Sequence, residues 1–453
     1  HIAFLWPARK GGLFVYKEKH MDVSIQAGSQ AAAAEASRTK NLKKAASACF
    51  IGNFVEWFDY AAYGYLAAVI AAVFFPAENA LVGLMSAYAV FALSFMVRPI
   101  GGVFWGYIGD KYGRRPALSW SILIMTVSTV FIGLLPNYSH IGFLAPLLLL
   151  LFRMIQGFSA SGEYAGAAAF LAEYAPKHQR GFYTSLVPAS TAAGLLLGSL
   201  MVAGMYAFMS TEFLHDWGWR IPFLLAAPLG LIGRHIRLRL EETPEFVQHQ
   251  NQHREKNTPI VDLFRNHRRA MVIAFCVAAL NAVAFYLILS YMPTYLSTEL
   301  GMDKTQSFMA ATISLLTYIG FIFFVGKLSD RFGRKKMLIV ASLVFIVATV
   351  PLFSALPNAH FWGIVMVQIA LGFMLALNDG CLPAILSELF PTDVRYSGFA
   401  FTFNTAMALL GGTSPLFATW LIQQTHSPLA PAWYLIAISL VSLVALVNIK
   451  KLY

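Results

Sequence analysis

The chain has 453 residues, 58% of them hydrophobic and 12% charged, where soluble domains carry roughly a quarter charged; water cannot be its only solvent. The net charge of +11 comes from cations gathered in alternate short loops, with no basic stripe and interleaved aromatics outside the apolar runs, so nucleic acid is not an expected partner. Cys49, Cys276 and Cys381 lie in apolar stretches without metal or redox spacing and read as small hydrophobes; no metal or cofactor is expected.

The sequence opens on His1 and its first methionine is Met21. Residues 1–20 are expected to be translated upstream sequence, and the polar, basic stretch up to residue 46 a cytoplasmic tail without a cleavable signal. Twelve apolar runs come next, at about 47–75, 81–108, 117–135, 144–173, 181–209, 220–238, 270–296, 306–326, 337–355, 361–389, 397–424 and 430–449. Most match the roughly 20 residues that a helix needs to cross a bilayer, and none alternates as a barrel strand does, so helices are the spanning elements. Lys and Arg collect before the first run (Arg38 to Lys44), after the second (Lys111, Arg114, Arg115), after the fourth (Lys177, Arg180), across 237–269, after the eighth (Arg331 to Lys336) and at Lys450 and Lys451. Both termini are therefore expected in the cytoplasm.

The first run carries Glu56 and Asp59, three apart on one helix face. A charge at membrane depth costs about 2.5–3.5 kcal/mol, so each needs a cavity or a partner. With Glu163 from the fourth run they would form a cluster of carboxylates that resist simultaneous ionisation. That behaviour suits a group that carries a proton, and Glu163, Asp59 and Glu56 are the expected proton carriers. Arg153 stands deep in the fourth run, where it either binds a substrate carboxylate or neutralises Asp59 or Glu56. Arg98 is expected near the cytoplasmic end of the second run in a structural role. Trp57, Phe58, Tyr60, Tyr63, Tyr65 and Tyr164 crowd the same region. Aromatic faces attract quaternary ammonium groups, and plain helix packing is the competing explanation for this wall.

After the second run comes Gly106-Tyr-Ile-Gly-Asp110-Lys-Tyr-Gly113-Arg114-Arg115-Pro116, which returns after the eighth as Gly326-Lys-Leu-Ser-Asp330-Arg-Phe-Gly333-Arg334-Lys335-Lys336. Glu173-Tyr-Ala-Pro176 with Arg180 likewise returns as Glu388-Leu-Phe-Pro391 with Arg395. Parallel repeats of this kind give two halves around a site near the midplane. The expected fold is all-α and membrane-integral, twelve transmembrane helices in two pseudo-symmetric six-helix bundles, 47–239 and 270–453, joined by a polar cytoplasmic linker at 240–269. Gly113 and Gly333 permit tight bends. Asp110 is expected at the start of the eleventh span near Ser397, and Asp330 at the start of the fifth near Gly181, where a helix N-terminus favours a carboxylate. Arg114 is expected to pair with Glu173 and Arg334 with Glu388. Together these residues would form a cytoplasmic lock that breaks when the protein turns inward. In the second half, Asn281, Tyr286, Tyr291, Asn378, Asp379 and Asn404 are polar at membrane depth. Of these, Asn281, Tyr286, Asn378 and Asp379 join Arg153, Trp57, Tyr60, Tyr63 and Tyr164 as substrate-binding candidates, although a polar residue in a span is often only glue between helices.

The repeated Asp–Gly–Arg turn is similar to the signature of the major facilitator superfamily. Five further blocks narrow the resemblance: Gly52-Asn-Phe-Val-Glu56-Trp-Phe-Asp59-Tyr60, Arg98-Pro-Ile-Gly-Gly102, Gln156-Gly-Phe-Ser-Ala-Ser-Gly-Glu163-Tyr164, Asp216-Trp-Gly-Trp-Arg-Ile-Pro-Phe223 and Glu241-Glu242-Thr243-Pro244. The chain resembles the metabolite:proton symporter family, whose members carry proline and betaine, 2-oxoglutarate, shikimate or citrate, and within it the proline/betaine branch. Ser161 departs from that family's Gly-Gly-Glu, and the chain is expected to lack the acidic coiled-coil tail of some osmosensing members, so osmotic sensing is not implied. The resemblance implies a monomeric inner-membrane symporter of a small zwitterion and protons; an organic-acid symporter and a drug:proton exporter on the same fold are the alternatives. An embedded enzyme lacks its constellation, with no Walker loop, nucleophile elbow or metal-spaced His pair.

Overall fold

The computed structural model describes residues 12–76, 80–252 and 259–449. Residues 1–11, 77–79, 253–258 and 450–453, which include the start of the expected tail, part of the linker and Lys450 and Lys451, lie outside the described residues. Residues His1–Lys44 and Ala45–Tyr453 form two units. The described part of the first is helical from Gly12 onward.

Among the described residues of the second unit, eleven helices are long and apolar enough to cross a membrane: Val82–Lys111, Arg114–Leu134, Leu144–Tyr174, Lys177–Phe208, Gly218–Leu238, Arg268–Thr298, Thr305–Phe332, Arg334–Asn358, Phe361–Glu388, Arg395–Thr425 and Ala430–Val447. A bent pair, Thr39–Tyr65 and Ala67–Phe74, meeting at 68°, makes a twelfth when counted as one span. Spans are numbered in chain order, with the bent pair as the first. No strand occurs among the described residues. The apolar runs dictate this outcome, because in hydrocarbon only a helix satisfies every backbone group within one segment.

The second and eighth spans run further than their apolar stretches. They continue to Lys111 and Phe332 respectively, so Asp110 and Asp330 stand in the last helical turn and not in the loop. The chain then reverses at Gly113 (φ 115°) and Gly333 (φ 91°), values that side-chain-bearing residues rarely adopt. The described part of the linker contains short helices at Pro244–Gln252 and Pro259–Asn266. The seventh and eleventh spans each widen into a π-turn, at Tyr286–Tyr291 and Met407–Gly411, a feature frequent at functional sites.

The second span packs along the eleventh, and the fifth along the eighth. At Gly106 the approach is so close that a Cβ would lie 2.4 Å from Ser397 Cα. These two crossings bring the end of each repeated turn against the start of a helix from the opposite half.

Candidate functional site

The membrane-depth carboxylates of the first six spans each have an arginine. Glu56 Oε1 accepts from Arg98 Nη2 at 2.6 Å. Asp59 Oδ2, one turn further along the first span, accepts from Arg153 Nη1 at 3.1 Å and also from Gln156 Nε2. Glu163 is gripped by both terminal nitrogens of Arg237, with Nη1 2.9 Å from Oε2. The sequence places the three acids together as one mutually repelling cluster; the structure instead gives each its own cation. The reason is the cost of burial, since a charge removed from water must be paired closely to be tolerated.

The pairs differ in how completely they are satisfied. Arg237 also donates to Leu118 O at 2.8 Å and to Ala48 O at 3.3 Å, binding the first, third, fourth and sixth spans into one knot around Glu163. By contrast Asp59 Oδ1, Glu56 Oε2 and the Nε and Nη2 of Arg153 have no hydrogen-bond partner among the described residues. Arg153 lies over aromatic rings, 4.1 Å from the Tyr63 centroid and 4.9 Å from that of Tyr60. Arg98 also contacts this wall, 4.9 Å from the Tyr60 centroid and 4.6 Å from that of Phe95. Tyr60 and Tyr63 therefore sheathe arginines, and Tyr63 is further fixed by donating to Ala87 O at 2.9 Å.

The other aromatic candidates divide. Trp57 and Tyr164 line a small pocket with Asn281, Phe285, Asp379 and Phe403. Tyr65 lies in a second pocket with Tyr206, Pro293 and Phe308. Tyr286 packs edge-on to Phe95 with centroids 6.2 Å apart. Asn378 is buried beside Asp379, and its amide has no partner among the described residues. Asn404 donates to Ser161 O and Ala400 O, and Tyr291 shares a hydrogen bond with Thr419, so both serve as joints between or within helices. Asp379 accepts from Tyr318 Oη and Asn281 Nδ2.

The repeated turns form a matched pair of caps. Asp110 accepts the backbone N–H of Tyr396 at 3.0 Å and of Ser397 at 2.8 Å. Asp330 accepts those of Gly181 at 2.8 Å and Phe182 at 2.9 Å. In both cases these are the second and third residues of a helix, where free amides and the positive dipole end favour an anion. Arg114 pairs with Glu173 at 3.0 Å and Arg334 with Glu388 at 3.1 Å.

The two copies are unequal. Arg114 and Glu173 have fully buried side chains, whereas those of Arg334 and Glu388 are 18% and 30% exposed. The linker makes the difference: Thr243 donates to Glu173, and Glu245 pairs with both Arg180 and Arg395, the latter at 2.8 Å. Arg395 also reaches Glu173 at 2.9 Å. Glu242 accepts the N–H groups of Arg115 at 3.1 Å and of Thr243 at 2.9 Å, and burial holds its carboxyl above the usual range.

Sequence reasoning did not assign roles to Arg237, Gln156, Phe285, Tyr318 and Phe403, or to Thr243 and Glu245. The last two sit in and beside the block Glu241-Glu242-Thr243-Pro244, whose placement at a linker start was the available signal.

A helical membrane chain with two copies of one capped turn and buried ion pairs between its spans is a transporter. The family model described as Major Facilitator Superfamily matches residues 49–310 and 274–451, and the chain belongs to that superfamily. It is 38% identical over 423 residues to the proline/betaine transporter of Salmonella typhimurium, covering 90% of this chain and 84% of that one. It is also 38% identical over 423 residues to the glycine betaine/proline/ectoine/pipecolic acid transporter OusA of Dickeya dadantii, covering 90% and 83%. These relatives are transporters and not enzymes. Among solved structures, the proton:xylose symporter XylE bound to 6-bromo-6-deoxy-D-glucose superposes with a TM-score of 0.76 at 17% identity, over 90% of this chain and 95% of that one, which shows the shared fold.

Proposed function

We propose that the protein is a secondary active transporter that takes up a small zwitterionic osmolyte, such as proline or glycine betaine, together with a proton. It does so as a monomer in the bacterial inner membrane by alternating access. Residues 47–239 and 270–453 are the two rocking halves, 240–269 their linker, and the repeated turns and both termini face the cytoplasm. The named substrates of relatives at this level of identity support the substrate class, and the cation-rich loops support the orientation.

The observation that carries the reading is the Asp59–Arg153 pair among Tyr60 and Tyr63. A proton on Asp59 removes the charge that holds Arg153, and the freed guanidinium can then take the substrate carboxylate. Proton and zwitterion thus bind together. Asp59 suits this step better than Glu163, because both oxygens of Glu163 are engaged by one arginine. Glu56, paired to Arg98 through one oxygen, is the second coupling candidate. The caps at Asp110 and Asp330, with the Arg114–Glu173 and Arg334–Glu388 pairs, hold the cytoplasmic side shut until substrate and proton are loaded.

The test is uptake of radiolabelled glycine betaine and proline into proteoliposomes under an imposed inward proton gradient. Accumulation that disappears when a protonophore collapses the gradient is the expected result. Uptake of 2-oxoglutarate without betaine or proline overturns the substrate class, and unchanged accumulation after collapse overturns the coupling.

A further inference from the structure

Asp379 differs from the other deep carboxylates. Glu56, Asp59 and Glu163 each contact an arginine, whereas Asp379 accepts from the neutral donors Tyr318 and Asn281 and makes no ion pair among the described residues. It is completely buried. A carboxylate in that position needs a positive charge from somewhere. A proton would serve, but a proton has no use for the walls that this carboxylate faces. Its pocket is bounded by four aromatic rings, Trp57 and Tyr164 from the first half and Phe285 and Phe403 from the second. Trp57 meets Phe285 edge-on at 5.3 Å between centroids, and Tyr164 stacks on Phe403 at 4.3 Å.

We propose that this pocket is the subsite for the cationic head of the substrate, with Asp379 as its counter-charge and the four rings as its cage. Aromatic faces attract soft, weakly hydrated cations, most strongly when water is excluded. The assignment rests on the reading of the substrate as a zwitterion and completes it. Because rings and acid come from both halves, a bound cation bridges them. The enclosed space, about 10 Å³, is smaller than an ammonium head, so the rings must separate to admit one, which ties loading to movement of the two halves. Quaternary and secondary ammonium heads fit this chemistry; a dicarboxylate does not.

Direct binding to the purified full-length protein tests the assignment with three probes: glycine betaine, tetramethylammonium, which keeps only the head, and 3,3-dimethylbutanoate, which replaces the ammonium by an uncharged carbon of the same shape. The wild-type protein is expected to bind tetramethylammonium and to prefer betaine to dimethylbutanoate by about thirtyfold or more, the ratio that a desolvated cation–π contact supports. Asp379→Asn is expected to abolish tetramethylammonium binding and collapse the preference. Phe403→Leu, which keeps an apolar side chain, is expected to weaken betaine and tetramethylammonium while leaving dimethylbutanoate unchanged, and it decides the matter if the Asp379 variant does not fold. Unchanged binding of all three probes in either folded variant overturns the assignment. So does an Asp379→Asn protein that keeps betaine affinity and loses only gradient-driven accumulation, because Asp379 would then be a proton carrier. Tetramethylammonium binding that depends on Asp379, in a protein that moves no betaine, supports the subsite while overturning the symport reading.

Discussion

Arg237, at the end of the sixth span, closes on both carboxylate oxygens of Glu163 in the fourth. The guanidinium is buried and also holds two backbone carbonyls. A bidentate pair that engages both carboxylate oxygens and both terminal guanidinium nitrogens is a joint, and its loss leaves a charge with nowhere to go. Glu163→Gln is expected to destabilise the protein by about 3–5 kcal/mol, the cost of breaking a buried pair from one side. The melting temperature in detergent should fall, and removing Arg237 as well should recover much of the loss. Gly52→Ala should act similarly, because its Cβ would lie 2.0 Å from Arg237 Nη2 and 2.2 Å from Glu163 Oε1. A Glu163→Gln protein with wild-type stability and no gradient-driven accumulation would return Glu163 to the coupling role.

Asp59→Asn separates binding from coupling. It mimics the protonated acid, leaves Arg153 without its anion and removes the group that titrates. Exchange of betaine across the membrane without a gradient should persist, while accumulation driven by an imposed pH difference should fall to the equilibrium level. Retention of gradient-driven accumulation in this variant would move the coupling to Glu56.

The caps make a paired prediction. Asp110 and Asp330 each satisfy two helix-end amides, an interaction worth about 0.3–2 kcal/mol in charge–dipole terms. Asp110→Asn should speed hydrogen exchange at Tyr396 and Ser397, and Asp330→Asn at Gly181 and Phe182. The first change should perturb turnover more, because its neighbours Arg114 and Glu173 are fully buried while Arg334 and Glu388 remain partly in water. Equal effects at the two sites would remove the asymmetry assigned to the linker.

Glu242 supplies a pH dependence outside the membrane. Burial raises its carboxyl above the ordinary range, so the folded chain holds this proton more tightly than the unfolded chain does. Stability from this source is full below the ordinary carboxyl range and fades as pH rises through the raised value. Glu242→Gln should flatten that part of the stability–pH curve, measured as melting temperature across the acidic range. An unaltered curve would show that its bonds to Arg115 and Thr243 offset the burial.

The spans and the paired turns were legible because both rest on strong, local signals. An apolar run of spanning length has only one solution in hydrocarbon, and a repeated Asp–Gly–Arg turn fixes where two helices must end. The partners of Asp110 and Asp330 could be named from the pseudo-symmetry of the repeats together with the preference of a carboxylate for a helix N-terminus. Arg237 was not legible, because a cation at the end of a span looks the same whether it faces water or turns inward to an acid. Nor was the division of the aromatic wall: Tyr60 and Trp57 are three residues apart, yet one covers arginines and the other lines the pocket of Asp379. The bend after Tyr65 carries no proline or charge to announce it. Which ring faces which neighbour depends on helix rotation, which period and composition leave open.

Glu245 holds Arg180 and Arg395 at once, and those two arginines open the fifth and eleventh spans. The connecting segment is consequently more than a leash. It ties two helix starts together through one carboxylate, and in the alternating-access cycle proposed above this tie would have to release before that face opens. On that reading Glu245→Gln, which removes the shared anion while keeping the chain intact, is expected to leave the two helix starts less firmly joined and the resting carrier more often open on that face.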